Sequence, residues 1–178
     1  VHPTLLYFPG ALLSQPELSS ARLDGLLIEV GDGYMPPDLP EDAAARVAAL
    51  EGVLIDGYAA SGPTAAWIHG VGETPPSRHH LHRVAVRRQR VHPARGVVLH
   101  DTRLGTNDFT IVAGAPVTTP LRTLIDLSLA AGGDSDSARW VYRVAADRPD
   151  LVAPARSHIE SRHRVPGKRA ALALLRTL

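Results

Sequence analysis

Six arginines and four histidines crowd residues 78–96, RHHLHRVAVRRQRVHPARG, with no acid among them. Two chemistries suit such a stretch. The first is metal coordination. On an extended chain His80 and His82 project from one face, as two zinc ligands would, with His79 on the other. A structural zinc site needs four ligands, and a catalytic one needs three plus water. Only His92, His100 and Asp101 lie close enough in sequence to complete a set, and spacing alone does not fix their geometry. The expectation is therefore no metal and no cofactor. The second chemistry is charge: Arg78, Arg83, Arg87, Arg88, Arg90 and Arg95 are candidate contacts to nucleic-acid phosphates or to an acidic partner, the alternative being a solvated face. The stretch has no Phe, Tyr or Trp, which argues against stacking on single-stranded bases. Contact with a duplex backbone remains open.

Enzymatic patterns are missing. A restriction-type nuclease places an acid and a lysine two residues apart on one strand. The chain has a single lysine, Lys168, and the position two before it is Pro166. There is no GxSxG nucleophile turn and no phosphate-cradling glycine loop followed by lysine. Asp101 and Asp108 are two carboxylates in a polar loop, a setting in which such groups are usually solvated. A non-enzymatic protein is expected.

The elements that must position these residues are legible in patches. In residues 97–130, Val97-Val98-Leu99 and Phe109 to Val112 read as strands. The turn Ala113-Gly114-Ala115-Pro116 leads to Val117-Thr118 and then a helix. Thr118 or Thr119 caps that helix, with Pro120 in its first turn, where a missing N–H costs nothing. Leu121, Leu124, Ile125, Leu127 and Leu129 form its apolar stripe, and Arg122 and Asp126, four apart, can pair on the other side. Residues 81–87 alternate weakly, as an edge strand with one polar face would, and can pair with residues 97–100. Ser61 or Thr64 starts a short helix that Gly70 closes at C′, with Trp67 as a core anchor and His69 near the last carbonyls.

Nearer the N-terminus, Ser14 and Glu17 form a capping box, and Leu23, Leu26 and Leu27 give that helix a face. Residues 27–30 then read as a strand, Gly31-Asp32-Gly33 as a tight turn needing positive φ, and Tyr34-Met35 as its return. Pro40-Glu41-Asp42 opens a helix that buries Ala43, Val47 and Leu50, with residues 53–55 as its end or as a short strand. Toward the C-terminus, Asp134 or Ser135 caps a helix with Val141, Tyr142 and Ala145 inward and Trp140 at its edge. Pro149 stops it. A short helix over 154–162 and a last one aligning Leu172, Leu175 and Leu178 complete the chain.

A length of 178 residues suits one domain, or one with a small appendage, and the 44% hydrophobic content supports a core. The absence of cysteine excludes disulfides and suits a reducing cytoplasm. No apolar run reaches 18 residues and no basic-then-apolar leader opens the chain, so a soluble cytoplasmic protein without membrane contact is expected. The net charge of +1 hides a division. Residues 1–57 carry nine acids against two arginines, and residues 58–105 carry seven arginines against two acids. A nucleic acid would meet the middle or the C-terminal part.

Four phrases, LSSARLDGLLIEVGDGYMPPD at 18–38, TAAWIHG at 64–70, VVLHD at 97–101 and VTTPLRTLIDLSLA at 117–130, stand in an order and spacing that resembles the AbiEi-like proteins of actinobacteria. These are the antitoxin and transcriptional-regulator component of type IV toxin–antitoxin systems. The resemblance implies a DNA-binding winged helix ahead of an α/β core, repression of its own operon through operator DNA, and opposition to a nucleotidyltransferase-like toxin without a tight complex. This chain departs from that pattern: residues 1–38 have little room for helices ahead of the hairpin, and they are acidic where a DNA-reading helix should be basic. The expected architecture is thus α+β, a reduced winged-helix-like module at 1–38 packed on a small, mostly antiparallel sheet flanked by helices at 39–178. Trp67, Gly70, Gly33, Pro120, Arg122 and Asp126 are its expected structural residues. The expected partner is duplex DNA, with a homodimer possible.

Overall fold

The middle of the molecule is a strand of small side chains. β3 (Tyr58–Ser61) reads Tyr-Ala-Ala-Ser, and all of it is buried. The computed structural model describes residues 6–87 and 90–178. Around β3 runs a five-stranded sheet in the order β5-β4-β3-β7-β6, where β4 is His79–Arg83, β5 Val97–His100, β6 Phe109–Val112 and β7 Ala115–Thr118. The architecture is α+β with helices on a small sheet, as expected. Its pairing is more mixed than expected: β3–β4 and β6–β7 are antiparallel, whereas β3–β7 and β4–β5 are parallel. β4 is an interior strand rather than an edge one, because the unanticipated β3 covers its free side. β3 lacks the β-branched residues that announce a strand, but its alanines let the helix that follows it pack closely.

Helix α3 (Gly62–Ile68) follows β3 at once and is buried along its whole length. It ends in a Schellman motif: Gly70 at φ 98° donates to the Trp67 carbonyl, and Val71 donates to that of Ala66. Trp67 is fully buried, as expected of a core anchor. Helix α4 (Pro120–Ala130) is capped by Thr119, whose hydroxyl accepts from the Arg122 N–H, and Pro120 stands at its start. Leu124, Ile125 and Leu127 bury its inner stripe. α5 (Ser135–Asp147), α6 (Val152–Ser161) and α7 (Lys168–Leu175) pack around it. In α5 the expected face is turned: Trp140 is buried and Tyr142 is exposed, because Trp140, Val141 and Val144 together make the inward arc.

Helix α1 (Gln15–Leu23) and the hairpin of β1 (Ile28–Val30) and β2 (Gly33–Met35) form as the sequence indicates. Glu17 closes the first turn by accepting from both the N–H and the hydroxyl of Ser14. The turn glycine with positive φ is Gly31, at 58°. Gly33 has a different role: a Cβ there would come within 3.0 Å of Leu6 and 3.3 Å of Phe8. Val30 and Met35 join the main core, while Tyr34 and Leu27 pack with Leu18 in a smaller cluster. Leu23 and Leu26, expected to be inward, are exposed. In α2 (Ala43–Ala48) the Asp42 carboxylate accepts from the Ala45 N–H. Residues 53–55 form neither strand nor helix.

Candidate functional site

The arginines of residues 78–95 fall into two groups. Arg83 is held: its Nε donates to the Asp101 carbonyl at 2.9 Å and stands 3.3 Å from the Asp101 carboxylate, while Nη1 donates to the carbonyls of Ala85 and Val86. It fastens the end of β4 to the segment after β5. Arg78, Arg87, Arg90 and Arg95 are exposed, and none makes an ion pair among the described residues. Arg88 lies outside the described residues. Because β4 and β5 are parallel, residues 84–96 must cross from the end of one to the start of the other. Arg87 and Arg90 ride on that crossover. Arg95 and Arg78 flank its far end, where the His79 N–H donates to the Gly96 carbonyl.

The histidines converge on the neighbouring sheet face. In the parallel register His80 stands opposite Val98 and His82 opposite His100, so the three imidazoles share a side. His80 Nδ1 and His100 Nε2 are 3.1 Å apart. The His80 and His100 ring centroids are 5.2 Å apart, and those of His82 and His100 5.5 Å. They line a cleft of about 520 Å³ closed on its other sides by α4 and residues 162–166. Ser61 reaches the same cleft with a buried hydroxyl that has no hydrogen-bond partner among the described residues. Burial pushes His80 down to about 4, helped by His100 and Arg78 and opposed by Asp134 and Asp136. Burial likewise lowers His82, against the pull of Asp126, and lowers His100. Near neutral pH these rings are uncharged and offer lone pairs.

Arg122 and Asp126 form the expected pair, Nε to Oδ1 at 2.9 Å, on a wall of the cleft. The structure adds a second carboxylate, since Arg122 Nη1 donates to Asp108 at 2.9 Å. Burial disfavours the guanidinium charge, but the hydrogen bonds and charges of Asp126 and Asp108 outweigh it and raise the Arg122 pKa. Asp108, read from sequence as solvated, is therefore a fastening residue, and it also accepts from the Gly105 N–H. Asp126 Oδ2 lies 3.8 Å from His82 Nδ1. His69, expected near its own helix carbonyls, instead has Nε2 at 2.7 Å from the Thr118 carbonyl across the sheet. Sequence reasoning missed Ser61 as a cleft residue because it missed β3. The sequence placed Ser61 only as one of two starts for α3, the role of N-cap that it takes.

A small mixed sheet with buried helices, an arginine-bearing crossover and a polar cleft make up an α+β module. The chain belongs to the AbiEi antitoxin family: the AbiEi antitoxin C-terminal domain matches residues 58–173. That family is a non-enzymatic antitoxin and regulatory module, and this chain is one of its members rather than an enzyme. Three of the four phrases that carried the resemblance fall inside the matched span, and the one at 18–38 falls outside it. Among solved structures, the chain is similar to the RV2827C protein from Mycobacterium tuberculosis at 16% identity and a TM-score of 0.38, covering 90% of this chain and 69% of that one. No curated protein matches the chain. No helix among the described residues is long and apolar enough to cross a membrane.

Proposed function

We propose that this protein is an antitoxin-like transcriptional regulator of a type IV, actinobacterial system that binds duplex DNA non-enzymatically through the β4–β5 crossover. The observation that carries the reading is the exposure of Arg78, Arg87, Arg90 and Arg95 without carboxylate partners among the described residues. Exposed guanidinium groups on a crossover are free to neutralise phosphates and release counterions. The stretch holds no aromatic side chain, which favours backbone contact over base stacking. Arg83 is set apart from the contact set because its Nε and Nη1 are engaged by Asp101, Ala85 and Val86. Residues 1–38 act as a degenerate winged-helix-like module that assists placement rather than reading bases, since their acids would repel a duplex. Residues 39–178 form the core, and the cognate toxin is opposed without a tight complex.

Binding of the purified protein to its own promoter duplex and to an unrelated duplex, across a salt series, tests this reading. Salt-sensitive, sequence-preferring binding that Arg87→Ala/Arg90→Ala weakens is the expected result. No binding at low salt sinks it.

A second reading has its own observation. Leu12, Leu23 and Leu26 are 84%, 76% and 66% exposed on the N-terminal module. Such residues suit a protein-contacting module, a homodimer included. Concentration-dependent mass with no DNA affinity would favour it.

A further inference from the structure

We propose that His80 and His100 seat a divalent first-row transition-metal ion of the zinc class, with His82 as the third imidazole of the site and water completing the coordination. The pair is built for a shared ion. Zinc binds imidazole nitrogen at about 2.0–2.1 Å, so two nitrogens on one tetrahedral ion stand about 3.3 Å apart. His80 Nδ1 and His100 Nε2 already stand at 3.1 Å. Between two neutral imidazoles at that separation one N–H serves one lone pair. An ion entering there asks the donor ring only to carry its proton on the other nitrogen, with no charge lost from either residue.

Among the described residues no three ligand-type side chains are already drawn around one point. The third ligand comes from a ring turn of His82, one register position from His80 and directly opposite His100. Its Nδ1 lies beside the Asp126 carboxylate, at 3.8 Å, the arrangement that orients a metal-ligating imidazole through its second nitrogen. The nitrogen left for the ion, Nε2, is buried with no hydrogen-bond partner of ordinary geometry, the Thr102 backbone lying alongside. Among the neighbouring cations, the Arg122 charge is met by both Asp126 and Asp108. His100 is exposed at the cleft mouth, which gives an ion and its waters a way in. Imidazole donors favour zinc, copper or nickel over magnesium or calcium.

The test is calorimetric titration of the chelator-treated full chain with zinc chloride at neutral pH, paralleled by cobalt(II) titration read in the visible spectrum. One saturable site per chain is expected, weakened about tenfold or more in His100→Ala and in His80→Ala. His82→Ala should lower the cobalt absorption as an imidazole is replaced by water. His92→Ala/His163→Ala should leave the titration unchanged. The proposal is overturned if no saturable binding occurs up to about 1 mM zinc, far weaker than built zinc sites. It is equally overturned if His80→Ala and His100→Ala bind as the unaltered chain does. Should His80→Ala fail to fold, the exposed His100, also replaced by Gln, decides the matter.

Discussion

The Arg46 guanidinium lies 5.1 Å from the centroid of the Trp67 ring and donates to that residue's own carbonyl at 2.6 Å. Arg46 is only 7% exposed, and its charge is met by Glu41 at 2.7 Å. One side chain thus ties α2 to the end of α3 and covers the core tryptophan. Replacing Arg46 by Met keeps most of the volume but leaves Glu41 without its cation and the Trp67 carbonyl with the Gly70 N–H alone. The expected loss is about 2–4 kcal/mol, measured by urea denaturation, with Glu41→Gln costing less.

Arg122 is shared between two acids on different elements, so its loss should cost more than a surface pair. Arg122→Ala leaves Asp108 and Asp126 half-buried without their cation, and about 2–4 kcal/mol of stability should disappear. Arg122→Lys should recover little, because a point charge cannot serve two carboxylates with directed N–H groups. A double-mutant cycle with Asp108→Asn checks the coupling.

His69 sets a pH dependence. Burial lowers its pKa from 6.5, the Thr118 carbonyl partly restores it and Arg148 lowers it again. The unfolded chain therefore binds a proton first as the pH falls. The contribution of neutral His69 is intact above about pH 6.5 and is lost as the pH drops toward its lower folded value. Urea titrations at several pH values should show stability declining below about 6.5, and His69→Gln should flatten part of that decline.

Substitution on the crossover should separate binding from folding. If Arg87 and Arg90 each meet a phosphate, removing both should lower the slope of log affinity against log salt by about 1.8. Their melting temperatures should stay unchanged. Arg83→Ala should do the reverse, lowering stability through the lost Asp101 contacts and altering the slope little.

Gly167 caps α7 at φ 76°, and a Cβ there would overlap the Leu129 carbonyl oxygen. Gly167→Ala should destabilise by about 2 kcal/mol or more, since left-handed strain and backbone overlap act together. A thermal melt suffices to check it.

Strong local chemistry made much of this fold legible in advance. The Ser14–Glu17 box, the Gly70 terminus, the Thr119-Pro120 start and the Arg122–Asp126 pair all depend on residues within a few positions of one another. β3 was opaque because its residues are chosen to be small for the helices above it, so the strand has no periodic signature of its own. Missing it made β4 look like an edge and hid the place of Ser61. The cleft was half legible. His80 and His82 alternate as a strand requires, but their meeting with His100 depends on a parallel register that spacing cannot supply. The Arg83–Asp101 and Asp108–Arg122 contacts were hidden for the same reason: the partners stand 18 and 14 positions apart in sequence, which no local pattern encodes.

The mixed pairing of β3 has a consequence for how the domain assembles. β3 meets β4 across the short helix α3, but it meets β7 through the single register pair Ala60 and Val117. That junction is a seam between one lobe made of β3, β4 and β5 and another made of the β6–β7 hairpin. Closing it requires ordering the long stretch of chain between the two, which slows long-range pairing relative to local hairpins. The seam is where the two lobes come to share one core, and a nick in residues 101–108 would divide the sheet along it into two complementary pieces.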